Sequence, residues 1–452
     1  MGIQVWQPAH VPWIMWFAAA LALVFVGLSR RSSGVVEESH KRGTTIRTAG
    51  RRRRRRELSL AGTGVKLADE AKHFKLLGTT GTGKSTAIAE LVGGALGRGD
   101  RAVFTDPDGG YLQRFYERER GDVVLNPFEP GTHKWDLFAE IRKPYDVEQL
   151  ASGLIPNCSD SNAQEWRGYA RTLLSAVLRR CYLAGNHDTA ELWRLLVRGT
   201  SKELRAAVAG SPAQPFLEGE NARMFASIRS VMLSSIAALE HVQAQRAPNC
   251  SIRDWMSSGR GVLFLPYQAV QIAALRSIIA TWTRLAIFEA MDRPDDSRRL
   301  WFVVDELDAL GAIEGLKDAL TRLRKFGGRC VLGIQSIAQV SSTYGAGEAQ
   351  TIVENCANTL ILRCSGSENG GTSHFASRLI GEREIIRKQT SLGRDREGWF
   401  GPRGRRQSTT TSRQHVTELA VMASEIEQLP DFQGYLKTAS SPGWSRVALP
   451  LN

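Results

Sequence analysis

From Phe74 onward the chain alternates short apolar runs with stretches whose apolar residues recur every three to four positions. FKLLG (Phe74–Gly78), AVFTD (Ala102–Asp106), VVLN (Val123–Asn126), VLFLP (Val262–Pro266), WFVVD (Trp301–Asp305), CVLGIQ (Cys330–Gln335) and TLILRC (Thr359–Cys364) read as strands. Unbroken apolar runs of this length, separated by helical periods, predict a mainly parallel sheet covered on both faces, because such strands have no polar side to turn to water. Between about Asp146 and Gln245 the strand pattern stops. Glu165–Gly185 and Ala222–Val242 carry helical spacing instead, and strands resume at Val262, so an all-α domain inserted into an α/β domain is the economical reading. The Gly-, Ser-, Thr- and Arg-rich stretch Ser391–Arg413, with Arg403, Arg405 and Arg406 clustered in it, reads as a surface loop.

The N-terminus follows a different pattern. Residues 1–28 contain no Asp, Glu, Lys or Arg, and Val11–Leu28 is an 18-residue apolar stretch, enough for roughly 27 Å of helix. Trp6, Trp13 and Trp16 lie toward its start, where indoles favour a membrane interface, and Arg30 and Arg31 close its other end. A secretory signal peptide carries its positive charge before the apolar core; here the charge follows it. The expectation is a single-pass transmembrane helix with the bulk of the chain in the cytoplasm.

The net charge of +13 invites an assignment to nucleic acid. Most of it is local. Ser29–Arg56 holds eleven basic residues, including the run Arg51–Arg56, against Glu37 and Glu38 only, which leaves the rest of the chain close to balance at +4. Such a segment just inside a membrane is drawn to anionic lipid by about 1 kcal/mol per basic residue; a plain topology signal and a DNA-backbone contact are the other readings. With 42% hydrophobic and 23% charged residues the chain is neither a disordered tail nor a collagen-like repeat. Its six cysteines have no CxxC or Cys/His spacing, so they read as reduced thiols without structural zinc. The expected domains are a periplasmic tail and anchor (1–28), a polybasic juxtamembrane linker (29–60), a nucleotide-binding domain in two parts (61–145 and 251–452) and the inserted all-α domain (146–250).

The strongest chemical signal is Gly78-Thr79-Thr80-Gly81-Thr82-Gly83-Lys84-Ser85, followed by Thr86. It fits GxxxxGK[ST] at every fixed position and sits between an expected strand and an expected helix, the context the motif requires. Its backbone N–H groups and the helix N-terminus would cradle the phosphates of ATP, Lys84 would reach the β- and γ-phosphates, and the Ser85 hydroxyl would ligate Mg²⁺. A partner acid is expected at another strand end, and Trp301–Asp305 supplies it with Asp305-Glu306. Asp305 would hold Mg²⁺ through its water shell, and Glu306 would orient and deprotonate the attacking water. Gln335, closing the next strand, reads either as a γ-phosphate sensor or as a strand cap. Arg322, Arg324 and Lys325, in LTRLRKFGG, read either as a solvated basic helix end or as a finger offered to a neighbouring subunit's γ-phosphate.

LLGTTGTGKST, FTDPDGGYLQRF, VVLNPF, FVVDELDALG, LTRLRKFGGRCVLGIQS and YGAGEAQTIVENCANTLILR together resemble the type IV coupling proteins of bacterial conjugation and type IV secretion. The blocks span about Phe74–Arg363, and EIEQLPDFQGYLK resembles the family's ending. The resemblance implies a RecA-like P-loop fold with an inserted all-α domain, an inner-membrane anchor, and a homo-hexameric ring around a channel. It implies DNA-dependent ATP hydrolysis that links relaxase-bound single-stranded DNA to the secretion-channel proteins. By motif position it assigns Lys84 and Ser85 to phosphate and Mg²⁺, Asp305 and Glu306 to the acidic pair, Gln335 to the third motif, and Arg324 to the trans-acting arginine. Family members usually carry two transmembrane helices, whereas this chain has room for one. It also stops soon after the ATPase domain, without the acidic extension that some members use for recruitment, so the expectation is that the helical insert would take on that task. A docking receptor for effector proteins and a double-stranded DNA translocase are the alternative functions.

Overall fold

The computed structural model describes residues 35–48, 57–158, 160–218, 221–292, 299–368, 370–395 and 406–450. The expected membrane helix, Val11–Leu28, and the Arg51–Arg56 run lie outside the described residues. Among the described residues no single helix is long and apolar enough to cross a membrane, although the bent pair Ala222–Ser235 and Ala238–Ala244 passes by length and composition.

The chain divides into two compact units. In the smaller, Glu382–Asp395 pairs antiparallel with both Val35–Gly43 and Arg406–Leu419. The stretch Ser391–Arg413, expected as a loop, therefore contributes to both arms of a hairpin whose register runs from Glu382↔Leu419 to Asp395↔Arg406. Its Gly/Ser/Arg content obscured the β-branched run Thr409–Thr411, which favours extended backbone. The expected linker 29–60 likewise contains the strands Val35–Gly43, Ile46–Thr48 and Leu58–Leu60.

The larger unit is built on a ten-stranded sheet: β1 (Ile46–Thr48), β2 (Phe74–Leu77), β3 (Arg101–Pro107), β4 (Val123–Val124), β5 (Val262–Tyr267), β6 (Leu300–Val304), β7 (Gly328–Ile334), β8 (Asn358–Ile361), β9 (Gln433–Lys437) and β10 (Trp444–Ala448). The strand order is β1-β10-β9-β8-β2-β7-β6-β3-β5-β4. All neighbours are parallel except β8/β9 and β9/β10. The seven strands expected from apolar runs form the contiguous block from β8 to β4. The three added at the other side are short or amphipathic.

Phe74, Phe104, Phe264, Trp301 and Val331 pack against Ile88, Leu91, Val92 and Ala95 of helix α1 (Lys84–Gly97). Each buried Phe, Ile, Leu or Val among them contributes roughly 1.5–3 kcal/mol. Residues 146–244 hold the helices Asp146–Leu154, Ser161–Leu183, Thr189–Arg198, Ser201–Val208, Ala222–Ser235 and Ala238–Ala244, with no strand among the described residues. Register fixes where chemistry can gather. Val304 aligns with Thr105 and Leu332, and Ile334 with Leu77, so the loops after β2, β3, β6 and β7 leave one edge of the sheet side by side. In an open parallel sheet this edge, at the carboxyl ends of the strands, is where ligands bind.

Candidate nucleotide-binding site

The Gly-rich loop joins β2 to α1 at this edge. Gly81 (φ 78°) and Gly83 (φ 107°) occupy the left-handed region, where a side chain is strained. Gly83 is also approached closely: a Cβ there would lie 2.8 Å from the Phe432 ring. Thr82 Oγ1 donates to Thr79 O at 2.8 Å, and Thr79 N–H donates to Arg363 O at 2.9 Å, which ties the loop to itself and to the end of β8. Lys84 folds back, donating from Nζ to Gly78 O (2.6 Å) and Thr79 O (3.2 Å). Burial lowers its pKa, opposed by the charges of Asp305 and Glu306.

Asp305 follows β6 and is buried. Its Oδ2 accepts from Ser85 Oγ at 2.6 Å and from Tyr111 OH at 2.7 Å, while its Oδ1 has no hydrogen-bond partner among the described residues. Glu306 accepts at Oε1 from Gln335 Nε2 (2.7 Å), and Gln335 Oε1 accepts from Thr80 Oγ1 (3.3 Å). The chain Thr80–Gln335–Glu306 thus joins the phosphate loop to the second acid. Burial raises the Glu306 pKa, and the negative charges of Asp305 and Asp308 add to that effect.

These groups line one cleft of about 470 Å³, which contains Thr79, Thr80, Gly81, Gly83, Lys84, Ser85, Thr86, Asp305, Glu306 and Gln335. Gly78 and Thr82 shape the loop without lining the cleft. Arg324 is not brought there. It is exposed on the turn Leu323–Phe326 that feeds the start of β7, at the opposite edge of the sheet from the phosphate loop. Among the described residues no group of three or more His, Cys, Asp or Glu side chains is arranged to hold a metal ion by itself.

Sequence reasoning missed four contributors. Asp106, buried at the end of β3, accepts from the backbone N–H groups of Tyr111 (3.0 Å) and Leu112 (2.7 Å) at the start of helix α2 (Gly110–Phe115). Burial pushes its pKa up to about 6, against those two donors. Asp106 stands behind the cleft, whereas Tyr111 and Arg114 of α2 and Phe432, which precedes β9, line it. The signal available for Asp106 was an acid closing an apolar strand, the same feature that marked Asp305. Phe432 had no local signal. It reaches the loop through its N–H, which donates to Thr82 O at 3.0 Å, and it holds an unusual φ of 62°.

The chain matches the type IV secretion-system coupling protein DNA-binding domain over residues 57–450. The coupling protein TraD of Escherichia coli (strain K12) is 30% identical over 377 residues, which cover 81% of this chain and 51% of that protein. The VirD4 protein of Rhizobium rhizogenes is 28% identical over 304 residues, covering 62% and 45%. The chain therefore spans about half the length of the curated relatives it matches. Among solved structures, the plasmid coupling protein TrwB in complex with ADP and Mg²⁺ superposes with a TM-score of 0.79 at 30% identity, covering 93% of this chain and 96% of that one. With the RecA-like sheet, the phosphate loop and these relatives in view, the chain belongs to the type IV secretion-system coupling proteins.

Proposed function

We propose that this chain hydrolyses ATP to drive relaxase-bound single-stranded DNA toward a type IV secretion channel. In this reading it works as a homo-hexamer anchored in the inner membrane by residues 11–28, with the bulk of the chain cytoplasmic and the helical stretch 146–250 as a separate inserted domain. The observation that carries the reading is the convergence of Lys84, Ser85, Asp305, Glu306 and Gln335 on one cleft at the strand ends.

The donor set fits a phosphate-bound Mg²⁺. The buried Asp305 Oδ1 lacks a partner among the described residues, the Ser85 hydroxyl lies beside the same carboxylate, and an all-oxygen site with few protein ligands suits this ion. TrwB holds ADP and Mg²⁺ together. Ser85 and Asp305 would hold the metal, which supplies charge neutralisation on the phosphates. Lys84 binds the β- and γ-phosphates, the loop amides orient them, and Glu306 takes the proton from the attacking water. Gln335, already bonded to Glu306, reports the γ-phosphate to that base. Arg324, remote from its own cleft, serves the cleft of a neighbouring copy.

The test is ATP turnover by the full chain, with and without DNA. Single-stranded DNA is expected to stimulate it several-fold, and the stimulation to fall steeply with salt as counterion release predicts. Equal or greater stimulation by duplex favours a double-strand translocase. No stimulation by either leaves an effector-docking receptor.

The pH profile tests Glu306. A base must be ionised to accept a proton, and the folded Glu306 has a raised pKa, so it protonates at a higher pH than an ordinary glutamate. Turnover at saturating ATP is therefore expected to fall, as pH is lowered, along an acid limb centred above the ordinary value of about 4.3. A limb at or below that value removes Glu306 as the base.

A further inference from the structure

We infer that Tyr111 is a positioning residue for the metal-binding carboxylate, holding the Asp305 side chain in the orientation it would present to Mg²⁺; this rests on the ATP–Mg²⁺ reading above. Tyr111 is 4% exposed and Asp305 2%. The Tyr111 hydroxyl and Ser85 Oγ both donate to Oδ2 of Asp305, which leaves the buried Oδ1 without a partner among the described residues. A carboxylate held by one donor can turn about its Cβ–Cγ bond. Two donors converging on one oxygen fix the plane of the carboxylate beside Ser85.

Tyr111 is itself tightly held. Its ring stacks on Phe104 at 5.1 Å between centroids and 27° between planes, and its N–H donates to Asp106 Oδ1 at 3.0 Å. Asp106 lies at the end of β3 and Asp305 follows β6, its parallel neighbour. The hydroxyl is therefore aimed at Asp305 by the end of the adjacent strand. Were Ser85 to direct its oxygen lone pairs at a metal, its proton would stay with Asp305, and Tyr111 would be the second donor holding the carboxylate in place. Burial raises the Tyr111 pKa, and the Asp305 charge adds to it, so the hydroxyl keeps the proton it donates.

A purely structural hydroxyl would look the same in a static picture, so the test separates the two roles. The affinity of the full chain for a fluorescent ADP is measured in excess EDTA and in saturating Mg²⁺, for the wild type and for Tyr111→Phe. The wild type is expected to bind more tightly with Mg²⁺. Tyr111→Phe is expected to match it in EDTA within about twofold and to lose about tenfold of the metal-dependent gain, the scale of one hydrogen bond to a charged group. The half-saturating Mg²⁺ concentration should rise in proportion. Tyr111→Met, which keeps apolar bulk without a hydroxyl, should behave alike.

An unchanged metal gain in both variants overturns the role of Tyr111 and leaves the nucleotide site standing. An equal loss in EDTA and Mg²⁺ also overturns it, because that is the mark of packing. Absence of any metal gain in the wild type overturns the Mg²⁺ site itself and Tyr111's part in it.

Discussion

Lys84→Ala is expected to lower ATP turnover by at least about 10²–10³-fold, the scale for removing one preorganised charge-stabilising donor. Phosphate release by the full chain, with single-stranded DNA present, is the measurement. The ammonium is the cleft's cation nearest the phosphate loop, and it is already drawn over the loop by Gly78 O and Thr79 O. Its replacement removes charge where the transferring phosphoryl group accumulates it, and takes from Asp305 and Glu306 the cation that offsets their charge at the loop. The fold should tolerate the change. Burial works against the charged form of Lys84, and the carbonyls it leaves face a cleft that water can enter, so the lost hydrogen bonds cost about 1 kcal/mol or less. A variant that unfolds, or one that turns over normally, is inconsistent with this account. Lys84→Arg should not rescue, because a planar fork cannot replace a compact ammonium inside the loop.

The sequence was most legible where one segment contains its own reason. The phosphate loop needs its glycines for backbone turns and its lysine for charge, and both lie within eight residues. Six of the seven strands from β8 to β4 are largely buried on both faces, with only the edge strand β4 half-buried, and so they read as apolar runs. Asp305, Glu306 and Gln335 stand at the ends of such runs, and parallel register carries them to the loop. What escaped notice depends on partners far along the chain. β1, β9 and β10 are strands because they pair with one another and with β8, and IRT or WSRVA alone does not announce this. Phe432 reaches the phosphate loop from 349 positions beyond Gly83, through a backbone bond to Thr82 and a side-chain pair, Arg363–Asp431 (2.6 Å), beside it. Tyr111 is, in sequence, one aromatic within FTDPDGGYLQRF and carries no mark of a role. Its hydroxyl matters because β3 and β6 are neighbours, an adjacency the linear sequence does not state. Arg324 marks a different limit: its motif position suggests a role at a neighbouring subunit's site, and a single chain, which sets it at the far edge of the sheet from its own cleft, does not bring it to any phosphate loop.

Gly333→Ala is expected to disable the same cleft from behind, although Gly333 touches no phosphate. It lies on β7 beside the end of β6, where its carbonyl accepts from Leu307 N–H at 3.1 Å. A Cβ at this position would sit 2.0 Å from Asp305 O and 2.7 Å from Asp305 Oδ1. Neither atom is the tip of a flexible chain. The carbonyl belongs to a backbone held by the β6/β7 ladder, and Oδ1 belongs to a carboxylate pinned by Ser85 and Tyr111. Relief requires either that the two central strands part or that Asp305 swings away from Ser85. Overpacking of this kind costs about 1–3 kcal/mol, and a misplacement near 1 Å at a reacting centre costs about 10²-fold in rate. Denaturant unfolding and ATP turnover measured on the same preparation should show both losses. Gly97→Ala is the control: its Cβ meets nothing within 4 Å at the end of α1, so turnover should be unchanged and stability equal or higher by up to about 1 kcal/mol. If Gly333→Ala retained normal turnover and stability, the close approach of β7 to Asp305, and with it the rigid placement of the metal-binding carboxylate, would be wrong.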